Sequence, residues 1–417
     1  MIEYLKQKVK ELLVWSQKYT KTDMLYLAKG GFWLGLGQAI GTIASLATSI
    51  AFANLLPVEA YGQYRYVLSM MAFFAIPTLS GINTALIRAA AQGMDSSLYV
   101  AFKTRLSWGV LAAVAGLGTS IYYLVQVNIH IATSFLVVSI FMPLFYSFET
   151  YGYFLKGKKM FNRSALFSSS TITVSTISLV ISLFLTDNVA ILLISYFLPY
   201  TLLRGLFLYI TTKKYILERK TDPTMVPYGK HLSLMSILDT IASEIDKFLL
   251  WHFLGPVQVA VYSFALSPVS SIATLKTHLN TIAFPKIAEH DIPYIKKIIY
   301  GKTFRLFLVL VLIAILYVLI APALYKFMFP KYTESVIYSQ VLAISLIFPA
   351  IFFSTAFVAH AKIKEQYILN SSYSLSKIVL SAILIPLMGI WGAVISYLAP
   401  QVVSLTVRLV LFNRLKQ

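Results

Sequence analysis

With 417 residues, 35 Lys and Arg against 16 Asp and Glu, 58% hydrophobic positions and 12% charged ones, the sequence is too apolar for a water-soluble globular protein, where about a quarter of positions are charged. Its mean hydropathy of +0.75 makes lipid the matching solvent and excludes intrinsic disorder, which requires low hydrophobicity. Zero cysteines exclude disulfide frameworks, thiolate metal sites, thiol nucleophiles and iron–sulfur clusters together.

At the N-terminus, Ile2, Leu5, Val9, Leu12 and Leu13 recur at helical spacing with lysines opposite them, so residues 1–29 are expected to form an amphipathic helix lying on the membrane surface. No short apolar core with a small-residue cleavage site follows these charges, as a secretory signal would require. Twelve stretches of about 20 apolar residues follow, each long enough to satisfy its backbone within one helix across a bilayer. They cover 31–55, 64–87, 106–125, 131–155, 164–185, 189–211, 232–254, 257–284, 304–327, 336–358, 367–387 and 390–412. The predicted fold is an all-α polytopic membrane protein.

Charge tests this count. If the N-terminus and every second connection share one side, that side carries 28 of the 35 Lys and Arg. The other side carries only Arg65, Lys326 and Lys331, and Arg204, Lys247, Lys276 and Lys377 fall inside spans. By the positive-inside rule both termini are cytoplasmic, and the net charge of +19 records topology rather than a nucleic-acid surface. All six outward connections are short, which leaves no room for an external catalytic domain.

The two halves of the chain resemble each other. LLPVEAYGQYRYVLS places Pro57, Val58, Tyr64, Leu68 and Ser69 where FLGPVQVAVYSFALS has Pro256, Val257, Tyr262, Leu266 and Ser267. Twelve spans then divide into six-helix bundles at 30–212 and 231–417, joined by a cytoplasmic linker at 213–230. An even number per half makes the repeat parallel, with a pseudo-two-fold axis along the membrane normal and substrate expected between the halves.

Ionisable groups inside spans cost several kcal/mol unless a cavity or partner receives them, which makes them candidates for function. In the seventh span Ser236, Asp239, Ser243 and Asp246 follow a helical stripe, with Glu244 and Lys247 one turn apart beside it. In the eleventh, Asn370, Ser374, Lys377 and Ser381 share a face, and Lys377 lies at the midplane, too deep to snorkel. Lys276 and Arg204 lie nearer the span ends, where snorkelling competes with function. Gly31, Gly35, Gly37 and Gly41 in the first span read as a close-packing face, and the Ser- and Thr-rich fifth span as interhelical hydrogen bonding or a hydroxyl-lined wall. No GxxxxGK[ST] loop for ATP and no HExxH or acidic metal cluster is present, so neither cofactor nor metal is expected.

The run from Gly30 to Gly93, with Gly62 in the first outward turn and Gly81 leading to Arg88, resembles the opening helices of bacterial lipid-linked oligosaccharide flippases of the O-antigen and polysaccharide export type. Asp246, Lys247, Phe248, Leu249 and Leu250 followed by Tyr262 resemble the same family's seventh and eighth helices, although Val261 stands where that family usually has Gly. The resemblance implies the multidrug, oligosaccharidyl-lipid and polysaccharide exporter superfamily, abbreviated MOP: two six-helix bundles around a central cavity in the bacterial cytoplasmic membrane. Its implied substrate is an undecaprenyl-diphosphate-linked oligosaccharide, with Lys377, Lys276, Arg88, Arg65 and Arg204 as candidate anion contacts. Asp239, Asp246 and Glu244 are the candidates for proton or ion coupling, and contact with polysaccharide assembly proteins is a further implication. The alternatives are a multidrug or toxin exporter of the same superfamily, and a polytopic glycosyltransferase or polymerase. The last would need outward acidic residues, for which the sequence offers chiefly Glu59, Asp187 and Glu334.

Overall fold

The computed structural model describes residues 24–218, 220–288, 292–348, 351–360 and 362–415, and every regular element among them is helical. Residues 1–23 of the surface helix expected at 1–29 and the side chain of Lys276 lie outside the described residues, while 24–29 continue into the first span as the helix Met24–Leu55. Among the described residues nine helices are long and apolar enough to cross a membrane, and Val58–Phe74 with Ile76–Ala91, bent by 47°, makes ten if the pair is one span. The two remaining expected spans are broken rods. The seventh consists of Met225–Met235 and Ile237–Leu254, and the tenth of Ser335–Leu342, a 3-10 turn at Ala343–Ile347 and Ile351–Ala359. The seventh carries Asp239, Glu244, Asp246 and Lys247 within one 18-residue helix.

The connections at the cation-poor end are as short as expected: Leu56 and Pro57, residues 126–128, residues 186–188, Gly255, residues 329–334 and Gly389. Asn128 and Asn188 cap the helices that follow by accepting hydrogen bonds from Ile131 N, and from Ala190 N and Ile191 N. Gly255 and Gly389 take positive φ of 83° and 60°, which a side chain would strain.

The halves meet along the second span and its neighbours from the second half. A Cβ on Gly62 would lie 1.9 Å from the Pro256 carbonyl oxygen, so only glycine permits this crossing. Tyr66 stacks on Trp251 at 4.1 Å and Tyr61 packs on Phe264 at 4.6 Å. Towards the cation-rich end, a Cβ on Gly81 would lie 2.5 Å from Gly229 O, and Gly81 N donates to Ser233 Oγ at 2.9 Å. Beyond it, Arg88 pairs with Asp222 at 2.9 Å, donates to Thr224 Oγ1 and covers the Tyr228 ring.

The linker between the halves is fastened to the first of them. Asp95, fully buried, accepts from Leu217 N and Glu218 N and pairs with Lys158 at 2.7 Å. Ser96 N donates to Lys220 O, and Ser97 Oγ accepts from Asp222 N. Burial pushes the Asp95 carboxyl up, but Lys158 and the two amides outweigh it and hold the group below its ordinary value. Asp222 is likewise held down, against burial, by bonds from Thr224 and Arg88.

Candidate functional site

Each half carries an open cavity among its spans. The first, about 350 Å³, lies among the first, second, fifth and sixth spans, and the second, about 420 Å³, among the seventh, eighth, eleventh and twelfth. Their linings correspond. Gly41, Ala44 and Ser45 recur as Asp239, Ala242 and Ser243, each 198 positions on; Leu68 recurs as Leu266; and Ile172, Thr176 and Leu179 recur as Asn370, Ser374 and Lys377 at the same interval. Leu68 and Leu266 are the pair matched by sequence alone. The interval also exposes an asymmetry, because Gly41, Ile172 and Leu179 are replaced in the second half by a carboxylate, an amide and an ammonium.

In the first cavity Arg65 stands among the rings of Tyr61, Tyr64, Tyr196 and Tyr200 with no carboxylate in the lining. Its Nε is buried without a hydrogen-bond partner, and Arg65 forms no ion pair among the described residues. A cation left unpaired inside a span is costly unless an anion or water compensates it. The arginine therefore has spare capacity for an anion, and its planar fork suits phosphate or carboxylate.

The second cavity is bordered by Asp239, Asn370, Ser374, Lys377, Tyr397 and Arg408, among others. Asp239 opens to the cavity and accepts from Ser374 Oγ at 2.6 Å. It occupies the first turn of Ile237–Leu254, where the helix dipole favours a carboxylate. Behind the cavity wall, Asp246 accepts from Tyr262 OH at 2.7 Å and Lys247 N at 2.8 Å and pairs with Lys377 Nζ at 3.3 Å. Lys377 also lies 5.3 Å from the Tyr397 ring centroid.

The matched linings come from one polypeptide that a single family description covers across most of its length. The family model described as polysaccharide biosynthesis protein matches residues 27–290. The chain belongs to the polysaccharide biosynthesis protein family. No curated protein sequence matches it. Among solved structures, the lipid II flippase MurJ in an inward closed conformation is similar at TM-score 0.68 and 14% identity, over 91% of this chain and 87% of that one. A MOP superfamily transporter from Pyrococcus furiosus is similar at 0.63 and 16%, over 94% and 96%. A multidrug resistance MATE transporter in an outward-facing conformation gives 0.59 and 15%, over 93% and 94%. At these identities the likeness is one of fold, and the fold is that of MOP transporters.

In this polysaccharide biosynthesis protein the sequence-predicted candidates separate into distinct places. Arg65, Lys377 and Asp239 line the cavities. Lys377 does not face Asp239 as an ion-pair partner; its partner is Asp246, about two helical turns further along. Glu244 and Lys247 form the expected pair at 2.5 Å. Arg204 is saturated internally: it pairs with Glu149 at 3.4 Å, donates to Phe145 O at 2.6 Å and lies over the Phe145 and Tyr200 rings. Arg88 lies outside both cavities in the linker contact, exposed over 41% of its side chain. The predicted stripes are also divided: on the seventh span Ser236 sits at the helix break and bonds to Ser80, and on the eleventh Ser381 bonds to Ser396. The close-packing face expected of the four glycines in the first span is not formed: a Cβ on Gly37 would meet Ala165 and Ser169 at an ordinary 3.6 Å, Gly31, Gly35 and Gly41 face open space, and Gly41 lines the cavity.

Two features escaped the sequence. Arg408, which counts by position as a span-end cation, reaches the second cavity with its Nε buried and unpartnered. Arg105, counted as an interfacial cation, is fully buried and bonded to Thr78 O, Asn83 Oδ1 and Glu149 Oε1 at 3.0, 2.7 and 2.7 Å. The hydropathy pattern could not reveal either, because both lie at the ends of the apolar stretches expected at 106–125 and 390–412.

Proposed function

We propose that the protein is a flippase that carries undecaprenyl-diphosphate-linked oligosaccharide from the inner to the outer leaflet of the bacterial cytoplasmic membrane, for cell-surface polysaccharide. The observation that carries this reading is Arg65: a cavity cation among apolar helices, with no carboxylate in the lining, is suited to the diphosphate of a lipid-linked sugar. In this reading the bundles at 30–212 and 231–417 rock about the glycine crossings at Gly62 and Gly81, with both termini cytoplasmic. The lipid tail stays in the bilayer while the polar head passes between the halves. Asp239 and Asp246 are the carboxylates placed to couple the return step to a proton or cation, with Lys377 positioning Asp246 and Glu244 neutralising Lys247. A drug exporter for organic cations suits the first cavity poorly, because Arg65 would repel its cargo.

Deleting the protein in its host should leave the lipid-linked intermediate complete but confined to the cytoplasmic leaflet. A truncated intermediate would instead assign it to glycan assembly, and a normal outer-leaflet pool would remove it from the pathway.

A further inference from the structure

The second cavity holds two opposite charges that do not neutralise each other. Asp239 and Arg408 both line it, yet neither forms an ion pair among the described residues, and Arg408 Nε has no hydrogen-bond partner. Lys377 adds no free charge, being only 4% exposed and paired with Asp246. What fills such a space must bring an anion for Arg408 and hydrogen-bond donors for Asp239. A phosphate-ester dianion has the first but brings no hydrogen-bond donor for Asp239. An alkylammonium has the second but would be repelled by the guanidinium.

A sugar ring bearing a carboxylate supplies both. Its carboxylate matches the guanidinium fork, its hydroxyls donate to Asp239, and Asn370 can both donate and accept. Tyr373 and Tyr397 provide apolar faces for the ring's C–H groups. The volume of about 420 Å³ falls in the range of small-ligand sites, about 300–1,000 Å³. The first cavity cannot substitute, because Gly41 and Ile172 stand where Asp239 and Asn370 provide acceptors.

We infer that the second cavity is a subsite for a uronic acid residue of the transported glycan, with Arg408 taking its carboxylate and Asp239 its hydroxyls. The inference rests on the flippase reading and assigns an orientation, with the diphosphate towards Arg65 and the glycan towards the second half.

The test uses the purified full-length protein in detergent, with methyl glucuronide and methyl glucoside as probes and saturation-transfer NMR titration as readout. The glucuronide should bind at least about tenfold more tightly, the ratio expected of one charge-assisted hydrogen bond. Arg408→Gln should remove that preference, Arg408→Lys should restore part of it, and Asp239→Asn should weaken both probes. Equal binding of the two glycosides by the unaltered protein, or a preference that survives Arg408→Gln, overturns the subsite. The wild-type ratio decides alone if a variant does not fold. Because binding is read without transport, glucuronide preference in a protein whose deletion leaves leaflet distribution normal would refute the flippase reading and keep the uronate site.

Discussion

Lys377 Nζ and Asp246 Oδ2 lie 3.3 Å apart, joining the eleventh span to the seventh with side chains only 4% and 1% exposed. Taking both charges from water costs several kcal/mol each, and the arrangement is tolerable because Tyr262 OH and Lys247 N also donate to Asp246.

Removing one partner strands the other. Lys377→Met should lower stability by about 3–5 kcal/mol. Combining it with Asp246→Asn should recover much of the loss, whereas combining it with Asp239→Asn should recover none. Thermal unfolding of the purified variants, followed by tryptophan fluorescence, checks this; recovery through Asp239 alone would mean that the pairing is misassigned.

Glycine at position 62 sets how closely the halves approach. Gly62→Ala places a methyl group about where the Pro256 carbonyl oxygen stands, 1.9 Å from it, so the crossing must open. Spin labels at Asp187 and Glu334, on opposite halves at the cation-poor end, should report a longer mean distance in this variant than in the parent. An unchanged distance distribution would show that Gly62 does not control the contact.

The linker clasp should resist mild acid. Asp95 and Asp222 have folded pKa values held below the unfolded aspartate value of 3.8. The stability they contribute is fully present above 3.8 and is lost only as pH falls through the lower folded values. Amide exchange at Leu217 and Glu218, corrected for intrinsic rate, should therefore be as slow at pH 5 as at pH 7, and faster at both in Asp95→Asn. Loss of protection between pH 7 and 5 would contradict the assigned bonds.

The uneven distribution of cations makes topology testable. Cysteine replacing Lys213 or Lys297 should resist an impermeant thiol reagent applied outside cells, and cysteine replacing Asp187 should react. Asp187 is preferable to Asn188, whose side chain caps the following helix. Labelling at position 213 from outside would invert the orientation.

Much of the fold was written in hydropathy. Alternating cation-rich connections and turns as brief as Gly255 and Gly389 define where each span ends, and period-3.6 polarity located Asp239 and Lys377. The break at Ser236 was hidden because serine and aspartate read equally well as one stripe or as a bend with its own first turn. The pairing of Lys377 with Asp246 rather than Asp239 depends on helices separated by more than a hundred residues, whose relative rotation no local pattern records. Arg105 and Arg408 were hidden for a related reason: distance from a helix end gives depth but not direction, and both side chains turn inward. The matched linings at an interval of 198 became visible only once the facing side chains were known, since apolar segments align by chance at many offsets.

In the proposed flippase cycle Arg65 receives the anionic head of a lipid-linked sugar during its passage across the membrane. Reconstitution of the purified protein into liposomes containing a fluorescent polyprenyl-diphosphate oligosaccharide tests it most directly, with an impermeant quencher reporting which leaflet holds the head group. The protein should equilibrate the lipid between leaflets, Arg65→Gln should slow this at least about tenfold at equal incorporation, as loss of a charge-assisted contact implies, and Arg65→Lys should recover part. Equal rates for the protein and Arg65→Gln, or no transfer above protein-free liposomes, would contradict the claim.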